Sequence, residues 1–297
     1  MKRLCISLAA LLLSTFAWSQ SNCVPIPISY TVTDLGALGG STSFATAINS
    51  SGSVTGFFPA ASGDTHAFLW TASTGMQDLG TLGGPITQAE GINDAGYVVG
   101  FAALPNYSLH AFLWAPTAGI KDLGTLGGPT GFSAAFGIDG HNRIVGNTYT
   151  LTNEMGGDMA IWTGSTIHDL GTNGNLAAQA NAVNSKFEVV GFSRGFNPTI
   201  VAFQWTKSGG FRTLPVLNSG EGTEALALNN HGLIAGNEFT SSNFSSAVIW
   251  YRGAVQGIGS LGGSAAAAGV NDQCQVVGNS YLSDNVTDHA FIWTPAD

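Results

Sequence analysis

Asp78–Lys121 reads DLGTLGGPITQAEGINDAGYVVGFAALPNYSLHAFLWAPTAGIK, and DLGTLGG begins again at Asp122. The same pattern recurs more loosely from residue 30 to the end. Trp stands at 70, 114, 162, 205, 250 and 293, and Asn or Asp at 49, 93, 139, 184, 229 and 271. Gly follows at 56, 100, 146, 191, 236 and 278, and every interval in these three series lies between 42 and 48 residues. Repeats of that length built from short runs of β-formers, with no helical period, predict propeller blades.

Each unit holds four candidate strands, A to D: Gln88–Asn93, Tyr97–Phe101, His110–Trp114 and Gly119–Leu123 in the quoted copy. In strand C, Phe112 and Trp114 point one way and Ala111 and Leu113 the other. Apolar residues on both faces suit a sheet sandwiched between two others. Strand A carries Ala at 45, 89, 135, 180, 225 and 267, small enough for the crowded axis. The A–B loop places Gly52, Gly96, Asn142 and Gly232 where a left-handed residue is needed. Phe187 and Cys274 occupy that position in the other two units, which predicts differently built turns there. The six Asn/Asp residues before it read as turn starters that bond their own backbone.

The expected fold is an all-β, six-bladed β-propeller over residues 30–297, with four antiparallel strands per blade. Six A–B–C sets are present, but one strand D, Tyr30–Leu35, precedes them all. It is therefore expected to complete the last blade and close the ring. An open β-solenoid is the weaker alternative, because the terminal units look like all the others.

Met1 is followed by Lys2, Arg3, an apolar run to Ala17 and small residues at Ala17 and Ser19. This reads as a signal peptide over 1–19, with 20–29 as a linker, and predicts an exported chain, secreted or periplasmic/cell-surface. The run is too short to span a bilayer. Losing Lys2 and Arg3 takes the formal net charge from −9 to about −11. So acidic a surface with scattered cations excludes nucleic acid as an expected partner and disfavours anionic membranes. Cys5 leaves with the leader. Cys23 would lie just before the closing strand and Cys274 in the A–B loop of the blade it completes, at the same end of the meander. That placement favours a disulfide over two free thiols, stabilising by about 5 kcal/mol in the chain-entropy model.

HAFLW at His66 and His110, HAFIW at His289, DLGTLGG and GINDAG together resemble the bacterial extracellular HAF repeat family over about 30–297. VAFQW, SAVIW, DLGTNGN and TLPVLNS depart from its pattern in the fourth and fifth units. The resemblance implies an exported propeller-like repeat protein and carries over no catalytic residue.

The recurring residues read as construction. His66, His110 and His289 start strands of different blades, too far apart to share one ion about 2 Å from each nitrogen. The six Trp read as wedges between blades. Gly191–Gly195 fits G-x-S-x-G but opens a B–C loop, where no nucleophile elbow forms. Gly257–Gly262 fits G-x-G-x-x-G but is the local copy of DLGTLGG, without a Rossmann unit around it. No metal site, no cofactor and no catalytic residue are expected.

What varies is more informative. The B–C loops share almost no letters: 57–65, 101–109, 147–157, 192–200, 237–245 and 279–288. They carry Phe58, Tyr107, Tyr149, Phe196, Phe244 and Tyr281 among Ser, Thr and Asn. All should emerge on one face of the disc, where function is commonly placed on a rigid scaffold. The second variable set, Thr46, Glu90, Phe136, Asn181, Leu226 and Ala268, should line the axis. The leading expectation is a monomeric, non-enzymatic module binding a glycan, a peptide or a surface protein. A glycan-acting hydrolase or lyase with acids around the axis is the alternative, and a purely structural surface repeat the third reading.

Overall fold

The computed structural model describes residues 33–149, 157–195, 199–218, 221–240 and 245–295. Blade 1 comprises β1 (Phe44–Ile48), β2 (Val54–Pro59), β3 (Thr65–Thr71) and β4 (Gly75–Asp78). Blade 2 comprises β5 (Thr87–Ile92), β6 (Val98–Ala103), β7 (Leu109–Ala115) and β8 (Gly119–Asp122). Blade 3 follows as β9 (Ser133–Ile138), β10 (Arg143–Thr148), β11 (Asp158–Thr163) and β12 (Thr166–Gly171). Blade 4 is β13 (Ala177–Val183), β14 (Glu188–Arg194), β15 (Ile200–Thr206) and β16 (Gly210–Thr213). Blade 5 is β17 (Gly222–Leu228), β18 (Ile234–Phe239), β19 (Ser245–Tyr251) and β20 (Ala254–Gly257). Blade 6 has β21 (Gly262–Val270), β22 (Val276–Leu282) and β23 (Asp288–Trp293). Every blade is an antiparallel meander in chain order, and together they make a six-bladed β-propeller. The expected leader at 1–19, the linker at 20–29 and Cys23 lie outside the described residues. So do 30–32 of the expected closing strand; Thr33, Asp34 and Leu35 belong to no strand.

The blades stack through five apolar cores, one for each junction from blade 1 to blade 6. Strand C supplies both sides as its pattern predicts. Phe112 and Trp114 pack with Ala67 and Leu69 of blade 1. Ala111 and Leu113 pack with Ile144 and Trp162 of blade 3. Trp114, Trp162 and Trp250 are buried, and with the half-buried Trp205 and Trp293 they wedge between blades; Trp70 is half-buried and belongs to none of the five cores.

Each inner strand carries a bulge at the same place, and β21 has a second irregularity between Gly262 and Ala265. The pairing skips a residue between Ala45 and Ala47, Ala89 and Gly91, Ala180 and Ala182, Ala225 and Ala227, and Ala267 and Gly269. In blade 3 the skip lies between Ala135 and Gly137. The bulge explains the recurring glycine of strand B. A Cβ on Gly100 would lie 1.9 Å from the Gln88 carbonyl oxygen, and the other five copies give 1.9–2.0 Å. Two residues opposing one press the backbones together, and only a residue without Cβ fits.

The A–B turns are alike in all six units. Gly52, Gly96, Asn142, Phe187, Gly232 and Cys274 all have φ between 59° and 86°. The expectation of different turns at Phe187 and Cys274 is therefore corrected: the same turn forms with a left-handed Phe or Cys. Phe187 is held there by Trp205, edge-on at 5.6 Å, and by the Arg143 guanidinium 4.3 Å over its ring. Packing of this kind offsets the strain, about 1–2 kcal/mol.

The Asn residues that start these turns also tie blade to blade. Asn93 Oδ1 accepts the N–H groups of Ala95 and Tyr97, while its Nδ2 donates to the Asp139 carbonyl at 3.0 Å. Asn49 donates likewise to Asn93 O, Asn184 to Asn229 O, and Asn229 to Asn271 O. Asp139 has no such donor, and Arg143, ion-paired to it, bonds the Asn184 and Ser185 carbonyls instead.

Candidate functional site

The A–B and C–D turns occupy one rim of the disc. The B–C hairpins and the D–A connections occupy the other. Strands B and C run further than the sequence suggests, so the described hairpins are short: residues 60–64, 104–108 and 283–287 in blades 1, 2 and 6. This redistributes the six loop aromatics. Phe58 lies within β2, 3% exposed and edge-on to His66 at 6.0 Å. It is a buried strand residue beside its cross-strand partner and not the exposed loop aromatic expected from the sequence. Tyr281 lies within β22, partly exposed. Tyr149 is half-buried, edge-on to Phe132 at 4.9 Å. Phe196 and Phe244 lie outside the described residues.

Tyr107 remains, and it stands out. It is 76% exposed with φ +66°. Its N–H bonds the Leu104 carbonyl in a turn that demands a left-handed residue. The matching turns use Gly63 in blade 1, φ +92°, and Asn285 in blade 6, φ +53°, residue types that tolerate this conformation. A large aromatic is held there without the burial that would normally stabilise it.

Tyr107 overhangs a groove of about 400 Å³ between blades 1 and 2, lined also by Asp64, His66, Thr81, Pro85 and Pro105. Two blades and one connection converge there. The His66 Nδ1 lies 2.7 Å from Asp78 Oδ2, which leaves Nε2 as the nitrogen open to a ligand. Asp78 is itself fixed, accepting the Gly80 N–H at 2.8 Å. The copy in blade 2 keeps the pair, His110 Nδ1 to Asp122 at 2.9 Å, but His110 is buried. The HAF histidines of blades 1 and 2 thus pair with the Asp of DLG in their own blade, a partnership the sequence reading missed. No group of three or more His, Cys, Asp or Glu able to hold a metal occurs among the described residues.

At the axis, Thr46, Glu90, Phe136, Asn181, Leu226 and Ala268 are the six bulge residues. They stand in a ring, one per blade. Thr46 Oγ1 donates to Ala89 O at 2.8 Å and Asn181 Nδ2 to Ala225 O at 2.8 Å, each reaching the next blade's bulge. Glu90 is the one acid among the six. Burial pushes its carboxyl above the ordinary carboxylate value. Glu224, two residues before the Leu226 bulge, accepts a hydrogen bond from Asn237 Nδ2 at 3.0 Å. Glu90 and Glu224 come from blades on opposite sides of the ring, so adjacent strands do not bring them together as a pair.

No family model matches the chain, and no curated protein matches it in sequence. Its fold is similar to that of several solved structures. The β-propeller domain of the Trilobed protease from Pyrococcus furiosus, described as having an open velcro topology, superposes with a TM-score of 0.59 at 11% identity, covering 86% of this chain and 82% of that one. Virginiamycin B lyase from Staphylococcus aureus gives 0.53 at 13% identity, with 84% and 83% covered. TolB from Acinetobacter baumannii gives 0.56 at 11% identity; 81% of this chain is covered, and this chain spans 60% of that one. At such identities the likeness establishes the β-propeller fold and nothing about activity.

Proposed function

We propose that this chain is an exported binding propeller of the HAF repeat type. In this reading the B–C rim captures a hydroxyl-rich ligand, a glycan in the first instance, with a peptide or surface protein as the alternative partner. Tyr107 carries the reading. A strained backbone beneath an exposed aromatic is best explained by what the ring contacts. An aromatic face beside an oriented imidazole, a carboxylate and a hydroxyl is the chemistry that packs on the C–H face of a sugar and bonds its hydroxyls. Export is proposed from the leader-like N-terminus.

The second reading, a glycan-acting enzyme, is favoured by the perturbed Glu90 alone. A glycosidase needs two carboxylates at defined separation, and the bulge ring offers one.

A glycan array and a hydrolase and lyase activity screen on the chain without residues 1–19 test both. Retention of a glycan that Tyr107→Gly weakens tenfold or more, with an unchanged melting temperature, is the expected result. Binding indifferent to Tyr107→Gly would remove the groove from the site. Turnover abolished by Glu90→Gln would establish the second reading instead.

A further inference from the structure

We propose that the ligand of the groove between blades 1 and 2 bears a positive charge. Within the glycan reading of that groove, on which this inference rests, the ligand is an amino sugar whose nitrogen is not acetylated.

The chain keeps its own cations away from this groove. Of its nine Lys and Arg residues, Lys2 and Arg3 stand near the N-terminus and the other seven fall between 121 and 252. None occurs from residue 4 to residue 120, or after Arg252, so blade 1 has none. Blade 2 has Lys121 alone, which pairs with Leu113 on the face turned to blade 3, away from the groove. The remaining six belong to blades 3, 4 and 5. On the rim that holds the groove, blades 1 and 2 carry Asp64, Asp78 and Asp122. The groove therefore lies in a negative field that no neighbouring Lys or Arg of its own two walls offsets, and such a field draws in cations.

The lining accepts hydrogen bonds far more than it donates them. Pro85 and Pro105 have no N–H. The N–H groups of Asp64, Gly83, Gly84 and Tyr107 are spent inside the fold, on Ser62 Oγ, Thr81 Oγ1, Ala103 O and Leu104 O. Asp64 Oδ2 takes the Ser62 hydroxyl at 3.1 Å, while Oδ1 has no partner among the described residues. With Nδ1–H given to Asp78, His66 Nε2 presents a lone pair. The side-chain donors are the neutral hydroxyls of Thr81 and Tyr107.

Tyr107 completes the set. An exposed aromatic face attracts a cation electrostatically, and this one shares its groove with the Asp64 carboxylate. A neutral sugar would cover that carboxylate without a counter-charge, which costs free energy. A protonated amine brings the charge together with N–H donors for Asp64 and His66. A uronic acid or a sulfated sugar is opposed on every one of these counts.

Titration calorimetry near neutral pH on the full chain tests this with oligomers of glucosamine, N-acetylglucosamine and glucose, equal in length and linkage. The three differ only in the group on the second carbon of each ring. The glucosamine oligomer should bind about tenfold tighter than the other two, and Asp64→Asn should bring all three within about twofold of one another. Salt at about 1 M should shrink the preference in the wild type as well, a readout that needs no variant to fold. A preference that neither Asp64→Asn nor salt reduces would overturn the inference. Equal binding of the three oligomers, weakened by Tyr107→Gly, would overturn the charge while leaving the glycan groove standing. Binding of none of them, or of a lysine-rich peptide alone, would overturn both.

Discussion

Replacing Gly100 by Ala tests the link between bulge and glycine that shapes every blade. The added Cβ would sit 1.9 Å from Gln88 O and 2.9 Å from Ala89 Cα, both backbone atoms in the inner strand. Carbon and oxygen do not approach below about 3 Å, so the strands must part by roughly 1 Å or the bulge at Glu90 must be undone. Either response disturbs Ala89 and Val98, both buried in the core with blade 1. Overpacking against backbone, with no flexible side chain to yield, places the loss at about 3–5 kcal/mol. For a chain of this size that is a fall in melting temperature of about 10 °C. The control is Gly96→Ala in the adjoining turn. Its φ of +79° strains any L-residue, but the nearest atom is Pro116 Cγ at 3.8 Å. That substitution should lower stability by about 1–2 kcal/mol. Calorimetric scans of the two variants decide the matter. If Gly100→Ala melts no lower than Gly96→Ala, close backbone approach does not explain the glycine column.

Three further expectations rest on the same structure. Asn93→Asp keeps the acceptor for Ala95 and Tyr97 but replaces the donor to Asp139 O and Asn142 Oδ1 with a carboxylate facing two oxygens. Urea titration should show a loss of about 2–4 kcal/mol, larger than for Asn49→Asp at the less buried end of the series. At the axis, Glu90 has a raised folded-state carboxyl, so its contribution is fully present below the unfolded value and is lost as pH rises through the folded one. The stability of the wild type relative to Glu90→Gln should therefore fall as pH climbs above about 4.5, and a flat difference across that range would contradict the burial. Finally, intact mass with and without reductant should show Cys23 and Cys274 resisting alkylation until reduced; two alkylated thiols without reductant would refute the bridge.

The period, the strand order and the two-faced strand C were legible in the sequence because they rest on alternation and on Gly, Asn and Trp at fixed intervals. The bulges were not. Strand A's variable column could be placed near the axis, but a bulge is a property of pairing register, which one strand's letters do not contain. A signal existed in the constant spacing of eleven residues from strand-A Ala to strand-B Gly, as in Ala89–Gly100 and Ala225–Gly236. Phe187 and Cys274 misled because intrinsic preference argues against a left-handed Phe or Cys, while the surrounding packing overrides it. Phe58 misled because its apolar letters were counted as loop when they continue the strand. The His66–Asp78 pair escaped notice because its members belong to different strands twelve residues apart. Tyr107 was visible as one aromatic of six; only its φ and exposure separate it from the rest.

The Asn bonds between blades have a direction. Asn49, Asn93, Asn184 and Asn229 each offer an amide N–H forward to a carbonyl of the next unit, so these connectors are of one kind, and Arg143 supplies the same gesture where Asp139 cannot. A joint of that sort does not count its neighbours. Nothing in it distinguishes the second unit from the fifth, so whole units could be duplicated, removed or reordered without designing a new joint. The number six is then a property of how much each blade turns relative to the next, and not of any address written in the links.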